Sequence, residues 1–263
     1  MREPKCSVIE LVPGCLYALG ASLELHGHTS WAAAAASGLQ RSSCYLLLGD
    51  HQAVLIDTGP AVVRPCVMNQ LRALLPQHPK LSVFLTRAEF ETSGNLGAIA
   101  ATFPLDAVYT GGAANPFDGF ELAMSAQGRH LDQIPAHRIA AGDFIPIGPG
   151  RNLQVLTPSL RMLSAYWAYD TGSKALFPSD AFGYTVDSAD VTADEAWRNL
   201  AARYWWLPGA QTEQMVDSLR NVFESREIEI IAPVHGCIFT GRTAVTRHYR
   251  LMRQLLTDAA WRT

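Results

Sequence analysis

The chain lacks a Cys-x-x-Cys pair: its five cysteines, Cys6, Cys15, Cys44, Cys66 and Cys237, are odd in number and scattered. That excludes a cysteine zinc site of ordinary spacing and predicts reduced thiols in a cytoplasmic protein, with no disulfide framework. Long apolar runs are missing too. None reaches the roughly 18 residues that a membrane helix needs, so no membrane association is expected. The first residues, MREPKCSVIELVPGCLYALG, put Glu3 and Pro4 where a signal peptide needs an unbroken apolar stretch, and they read instead as a strand and a turn. An excess of positive charge is absent: 21 Lys and Arg stand against 24 Asp and Glu, a net charge of -3, which argues against a nucleic-acid partner. There is no G-x-G-x-x-G, no P-loop and no G-x-S-x-G, so nucleotide binding and serine hydrolase chemistry have no support. No repeat of fixed period is present.

What the chain does have is a large apolar fraction, 48% over 263 residues, enough for one large layered domain spanning 1–263. Short apolar runs alternate with helical periodicity. SVIELV and CLYALG flank Pro13-Gly14 as a hairpin, and Cys44–Leu48 and Ala53–Ile56 flank the turn at Gly49-Asp50. Val67, Leu71, Leu74 and Leu75 recur at helical spacing and predict a helix over 65–75. Further strands are expected at 106–109, 144–147, 153–157, 167–169, 175–177 and 228–232. Helices are expected over 194–204, 212–224 and 245–260. Hairpins interleaved with helices predict an α/β architecture, a four-layer αββα sandwich with two sheets face to face and helices outside.

The stretch at the centre of this pattern is Leu81 to Ala100, LSVFLTRAEFETSGNLGAIA: a buried strand, a break at Thr86, then a helix through Leu96, Ala98 and Ile99. Together with Asp57-Thr58-Gly59 after a strand, Asp180 after Leu176-Phe177, and His235-Gly236 after another strand, it resembles the metallo-β-lactamase superfamily. Leu25-His26-Gly27, the phrase LFPSDAFG at 176–183, the segment from Trp205 to Gly209, and APVHG at 232–236 resemble one branch, the flavodiiron proteins and the oxygen-binding diiron proteins. The likeness runs from about residue 8 to residue 255.

That resemblance implies one iron held by the residues at 87, 89 and 161, a second by those at 91, 92 and 235, and a bridge from 180. Here Glu89, Glu91, Asp180 and His235 remain as residual metal candidates, while Arg87, Thr92 and Arg161 stand where histidines are expected. An arginine is not deprotonated in proteins and so is no metal ligand, and Thr92 offers only a neutral hydroxyl. A normal diiron centre is therefore not expected. Charge counting points instead to a salt-bridged pocket, Arg87 with Glu91 or Asp180 and Arg161 with Glu89. His26 joins the pocket by resemblance, as a residue behind the ligand positions. Asp57 is expected to orient its turn. The plainer readings are an exposed i,i+4 pair of Arg87 with Glu91, and Glu89 as a helix-start carboxylate. His51, His78, His130, His137 and His248 have no motif around them and read as surface.

The leading functional expectation is a non-catalytic binding, sensing or partner module, without cofactor. The alternatives are an oxidoreductase binding or reducing O2 or NO at an altered iron site, and a single-zinc hydrolase using His235 and Asp180 with a glutamate base. The chain's end at Thr263, before any flavodoxin-like segment, leads to the expectation of no FMN and of electrons, if any, from a redox partner protein. The resemblance implies a homodimer, and the arginines raise the alternative of a small anion as ligand.

Overall fold

The computed structural model describes residues 3–26, 32, 35–75, 80–111, 134–158, 165–184 and 190–261. The first sheet is built from β1 (Lys5–Cys6), β2 (Ile9–Val12), β3 (Leu16–His26), β4 (Ser37–Leu48), β5 (Gln52–Ile56), β6 (Lys80–Leu85), β7 (Leu105–Thr110) and β8 (Ala136–Arg138). Its order is β1-β3-β4-β5-β6-β7-β8, with β2 also on β3. Pairing is antiparallel up to β5 and parallel from β5 onwards. The second sheet holds β9 (Phe144–Gly148), β10 (Arg151–Leu156), β11 (Trp167–Asp170), β12 (Ala175–Phe177), β13 (Ile230–Ile231) and β14 (Phe239–Thr240), in sequential order. Only its β12–β13 pair is parallel.

The sandwich follows from a period of two. Along β3 to β6, Leu16, Ala18, Tyr45, Leu47, Val54, Ile56 and Phe84 point to one face and meet Leu153, Val155, Ala168, Ala175, Phe177 and Ile230 of the second sheet. Their neighbours Leu19, Ala21, Cys44, Leu46, Leu55 and Val83 point to the other face, against α1 (Arg64–Leu74) and α3 (Leu96–Thr102). On the far side Trp167, Tyr169, Leu176 and Ile231 meet α4 (Ala193–Arg203), α5 (Glu213–Glu224) and α6 (Arg242–Ala259). Strands so evenly apolar on both faces can be satisfied only between two layers. The expected αββα sandwich is the one formed.

Three expectations change. The helix after Thr86 is not continuous: a single turn, α2 (Phe90–Ser93), precedes α3, and Asn95 between them turns its side chain onto the carbonyls of Thr58, Gly59 and Pro60 at 2.8–3.1 Å. His248 is not on the surface. It is fully buried and stacks on Phe239 at 3.7 Å, because it falls on the stripe Val245, His248, Met252, Leu255, Ala259 that α6 turns inwards. Finally, Cys6 and Cys66 form a disulfide, Cα to Cα 5.3 Å. Cys15, Cys44 and Cys237 are not disulfide-bonded. Sixty residues separate the pair in sequence, and only the β1–β3 register and the docking of α1 on the same sheet bring them together. Among the described residues no helix is long and apolar enough to cross a membrane.

The bridge closes a long loop, so its loss enlarges the unfolded ensemble. Cys66→Ser should lower the unfolding free energy by about 2–4 kcal/mol in urea titration, and dithiothreitol should lower the wild type by a similar amount without affecting the variant.

Candidate functional site

The site forms where chain segments leave the C-terminal ends of β5 and β6 in one sheet and of β12 and β13 in the other. After β5, Asp57 adopts a left-handed conformation (φ 58°), uncommon for a residue with a side chain. Its fully buried carboxylate accepts from the Thr86 N–H and from the Thr86 hydroxyl, both at 2.8 Å. Thr86 has spent its only hydroxyl proton there, so Ser179, 2.8 Å away, must donate to it. Ser179 is also left-handed (φ 55°) and directly precedes Asp180. Three residues thus fix the position of Arg87 relative to Asp180. Asp57 has the orienting role expected of it.

Arg87 occupies the centre. Its guanidinium reaches Glu89 at 3.0 Å, Glu91 at 3.1 Å and Asp180 at 3.2 Å, with 3% of the side chain exposed. The Asp180 side chain is 5% exposed, Glu91 17% and Glu89 39%, so the cluster opens towards solvent on the Glu89 side. The reading as an exposed surface pair is overturned by this burial. Glu89 pairs with Arg87; Arg161, and with it the expected Arg161–Glu89 pair, lies outside the described residues, as do His78, His130 and the His26 side chain at the end of β3. Thr92 is also at the site, but its hydroxyl donates back to the carbonyls of Arg87 and Glu89 at 2.7 and 2.9 Å.

His235 completes the group from the second sheet. Its Nε2 lies 3.4 Å from Glu91, and the ring is fully buried. The segment is pinned to β4 by Ser43 N–H to Val234 carbonyl at 2.8 Å and Gly236 N–H to Arg41 carbonyl at 2.9 Å. Gly236 has φ 79°, and a Cβ there would come within 2.3 Å of the Tyr184 carbonyl oxygen, so this turn requires glycine. Two neighbours escaped the sequence reading. Tyr204 donates to Asp180 Oδ1 at 3.2 Å, and Arg203 donates to the Asp180 backbone carbonyl. Tyr204 directly precedes Trp205 in the sequence, and no spacing ties the end of α4 to Asp180.

Electrostatics sort these groups. Burial alone would push the Arg87 guanidinium down, but Asp180, then Glu89 and Glu91, raise it above the ordinary arginine range, so it is permanently charged. Burial lowers His235 to about 4; the Glu91 hydrogen bond opposes this without prevailing, and Arg203 and Arg87 reinforce it. Its imidazole is neutral at pH 7. Burial raises the Asp57 carboxyl to about 7 against the two Thr86 hydrogen bonds. Among the described residues no three or more His, Cys, Asp or Glu side chains come together in a way that could hold a metal ion. The carboxylate oxygens are turned onto a guanidinium instead.

Arg87→Leu should leave three carboxylates facing one another and cost about 3–5 kcal/mol at pH 7 in urea titration, with part of the loss recovered as they protonate at low pH. His235 and Asp57 make a second test. The ordinary histidine value is 6.5, so His235 contributes stability that is present above 6.5 and lost as pH falls towards about 4. Asp57 has the opposite sign: its contribution is full below 3.8 and lost as pH rises through about 7. The two nearly offset in the wild type. His235→Gln should therefore gain about 2 kcal/mol between pH 7 and pH 5, while the wild type changes by less than half of that.

No family model and no curated protein matches the sequence. Solved structures do match. Rubredoxin oxygen:oxidoreductase from the anaerobe Desulfovibrio gigas is 16% identical with a TM-score of 0.67, the match covering 96% of this chain and 62% of that one. A metal-soaked flavodiiron core from Synechocystis is 16% identical with a TM-score of 0.70, covering 98% and 62%. A metallo-β-lactamase from Pontibacter korlensis is 15% identical with a TM-score of 0.58, covering 97% and 100%. This chain thus spans about 62% of the length of the first two. Identities so low speak to the backbone and not to the activity: the chain has the metallo-β-lactamase fold, in the form that the flavodiiron cores take.

Proposed function

We propose that this protein keeps the frame of a flavodiiron core with its metal centre replaced by a salt-bridged cluster, and that it acts as a binding, sensing or partner module. The observation that carries the reading is Arg87, one buried guanidinium within 3.2 Å of three carboxylates. Those carboxylates, Glu89, Glu91 and Asp180, are the oxygen donors that the resemblance assigns to iron. A guanidinium has no lone pair to offer a metal, and its charge repels a cation from the same spot. Thr92, at another position assigned to a ligand, spends its hydroxyl on the backbone. The residues present do not fit a two-iron set, and no redox step is assigned to them.

A partner role draws on the surface beside the cluster. Phe90, between Glu89 and Glu91, is 64% exposed, and Trp205, next to Tyr204, is 81% exposed. Large apolar side chains beside a site suit a surface that another protein covers, a second copy of this chain or a redox partner. A small anion at Arg87 is disfavoured, because three carboxylates already surround that charge. The second reading, an altered iron site for O2 or NO, draws on one observation: His235 is held neutral, the protonation state that a metal ligand needs.

Elemental analysis of protein expressed in iron-supplemented medium and purified without chelator decides between them. The wild type should carry iron and zinc far below one atom per chain. Two irons per chain would overturn the reading, and a single metal that His235→Ala removes would move it to the altered site.

A further inference from the structure

A cleft between the C-terminal end of α5 and the first three turns of α6 shares no residue with the Arg87 cluster. Its volume is about 820 Å³, within the range of small-molecule sites. The lining includes Arg226, Arg242, Arg250 and Arg253 against Glu224 and Glu227, in a protein whose net charge is -3. The two glutamates do not neutralise the four cations. Glu227 is shared between Arg242 and Lys174, the latter at 3.1 Å, and Arg242 also approaches Glu229 at 3.8 Å.

The other three arginines have no carboxylate partner among the described residues. Arg226 donates to neutral acceptors: the Gln154 side chain at 3.2 Å, the Val222 carbonyl at 3.5 Å and Ser225 Oγ at 2.7 Å. Arg253 stands 5.7 Å from the ring centre of Tyr249, and that ring stacks on Phe223 at 4.5 Å with 13° between planes. Arg250 is exposed at the same wall. The Tyr249 hydroxyl is buried and has no hydrogen-bond partner among the described residues. Like charges gathered on one wall repel one another, and a stacked aromatic pair that orders one of them reduces the entropy lost when they close on a ligand.

We propose that this cleft is a binding site for a small phosphorylated anion, held by Arg226, Arg250 and Arg253. The planar guanidinium fork matches two phosphate oxygens at once, and a dianion answers the positive charge that the lining leaves unmet. A nucleic acid is a poor fit, because the basic wall is confined to one cleft of an acidic protein.

Calorimetric titration of the full chain with sodium pyrophosphate tests this, with inorganic phosphate and a phosphoserine peptide as parallel arms. One saturable site for pyrophosphate is expected, and Arg250→Gln with Arg253→Gln should weaken it by about tenfold or more. Arg247→Gln is the control. It lies on the same helix but pairs with Asp190 at 2.7 Å, outside the cleft, and should leave the affinity unchanged. The exposed Arg250→Gln alone should already weaken binding, which keeps the test valid should the double variant fail to fold. Absence of saturable binding, or an equal loss in Arg247→Gln, would overturn the proposal. So would a preference for the phosphoserine peptide that persists when Arg250 is replaced.

Discussion

Removing a guanidinium from water costs several kcal/mol, and in this protein that cost is met by three carboxylates that would themselves be costly to bury alone. The Arg87 cluster is therefore a mutual constraint. Neither side of it tolerates the interior without the other, and the turn that holds it has been built accordingly. Asp57 and Ser179 take uncommon left-handed conformations, and both spend their side chains on Thr86, the residue before Arg87. His235 is kept neutral by burial, reinforced by the charges of Arg203 and Arg87.

A shared fold does not by itself fix the chemistry of the site that it carries. The two sheets bring the ends of β5 and β6 against the ends of β12 and β13. Backbone ties such as Ser43 to Val234 and Gly236 to Arg41 join the sheets without any side chain from the cluster. Among Glu89, Glu91 and Asp180 the chain places a cation of its own, the Arg87 guanidinium. On the proposed reading, the exposed Phe90 and Trp205 and the arginine-lined cleft beside α6 are the surfaces through which the protein would act.

Much of this was legible in the sequence. The short apolar runs CLYALG at 15–20, Cys44–Leu48 and Ala53–Ile56 specified strands, and strands apolar on both faces are satisfied only between two layers. Asp57-Thr58-Gly59, the Arg87 turn, Asp180 and His235 marked four chain segments that belong at one site. The residue types at 87, 92 and 161 carried the expectation of a salt-bridged pocket in place of a diiron centre. His248 read as surface because no motif surrounds it, yet it falls on the stripe that α6 turns inwards. Arg203 and Tyr204 were missed because their contact with Asp180 joins a helix end to a strand end with no pattern in between.

The sequence by itself determined the layers, the strand-to-turn positions and the set of charges, since each depends on local periodicity, turn chemistry and residue type. Only the tertiary structure decided how those charges pair. Arg87 takes Glu89 as well as Glu91 and Asp180, because a buried fork offers five donors to whatever acceptors the sheets bring within reach. The disulfide of Cys6 with Cys66 is of the same kind: its partners meet through a strand register and a docked helix, and distance in space is not written in distance along the chain.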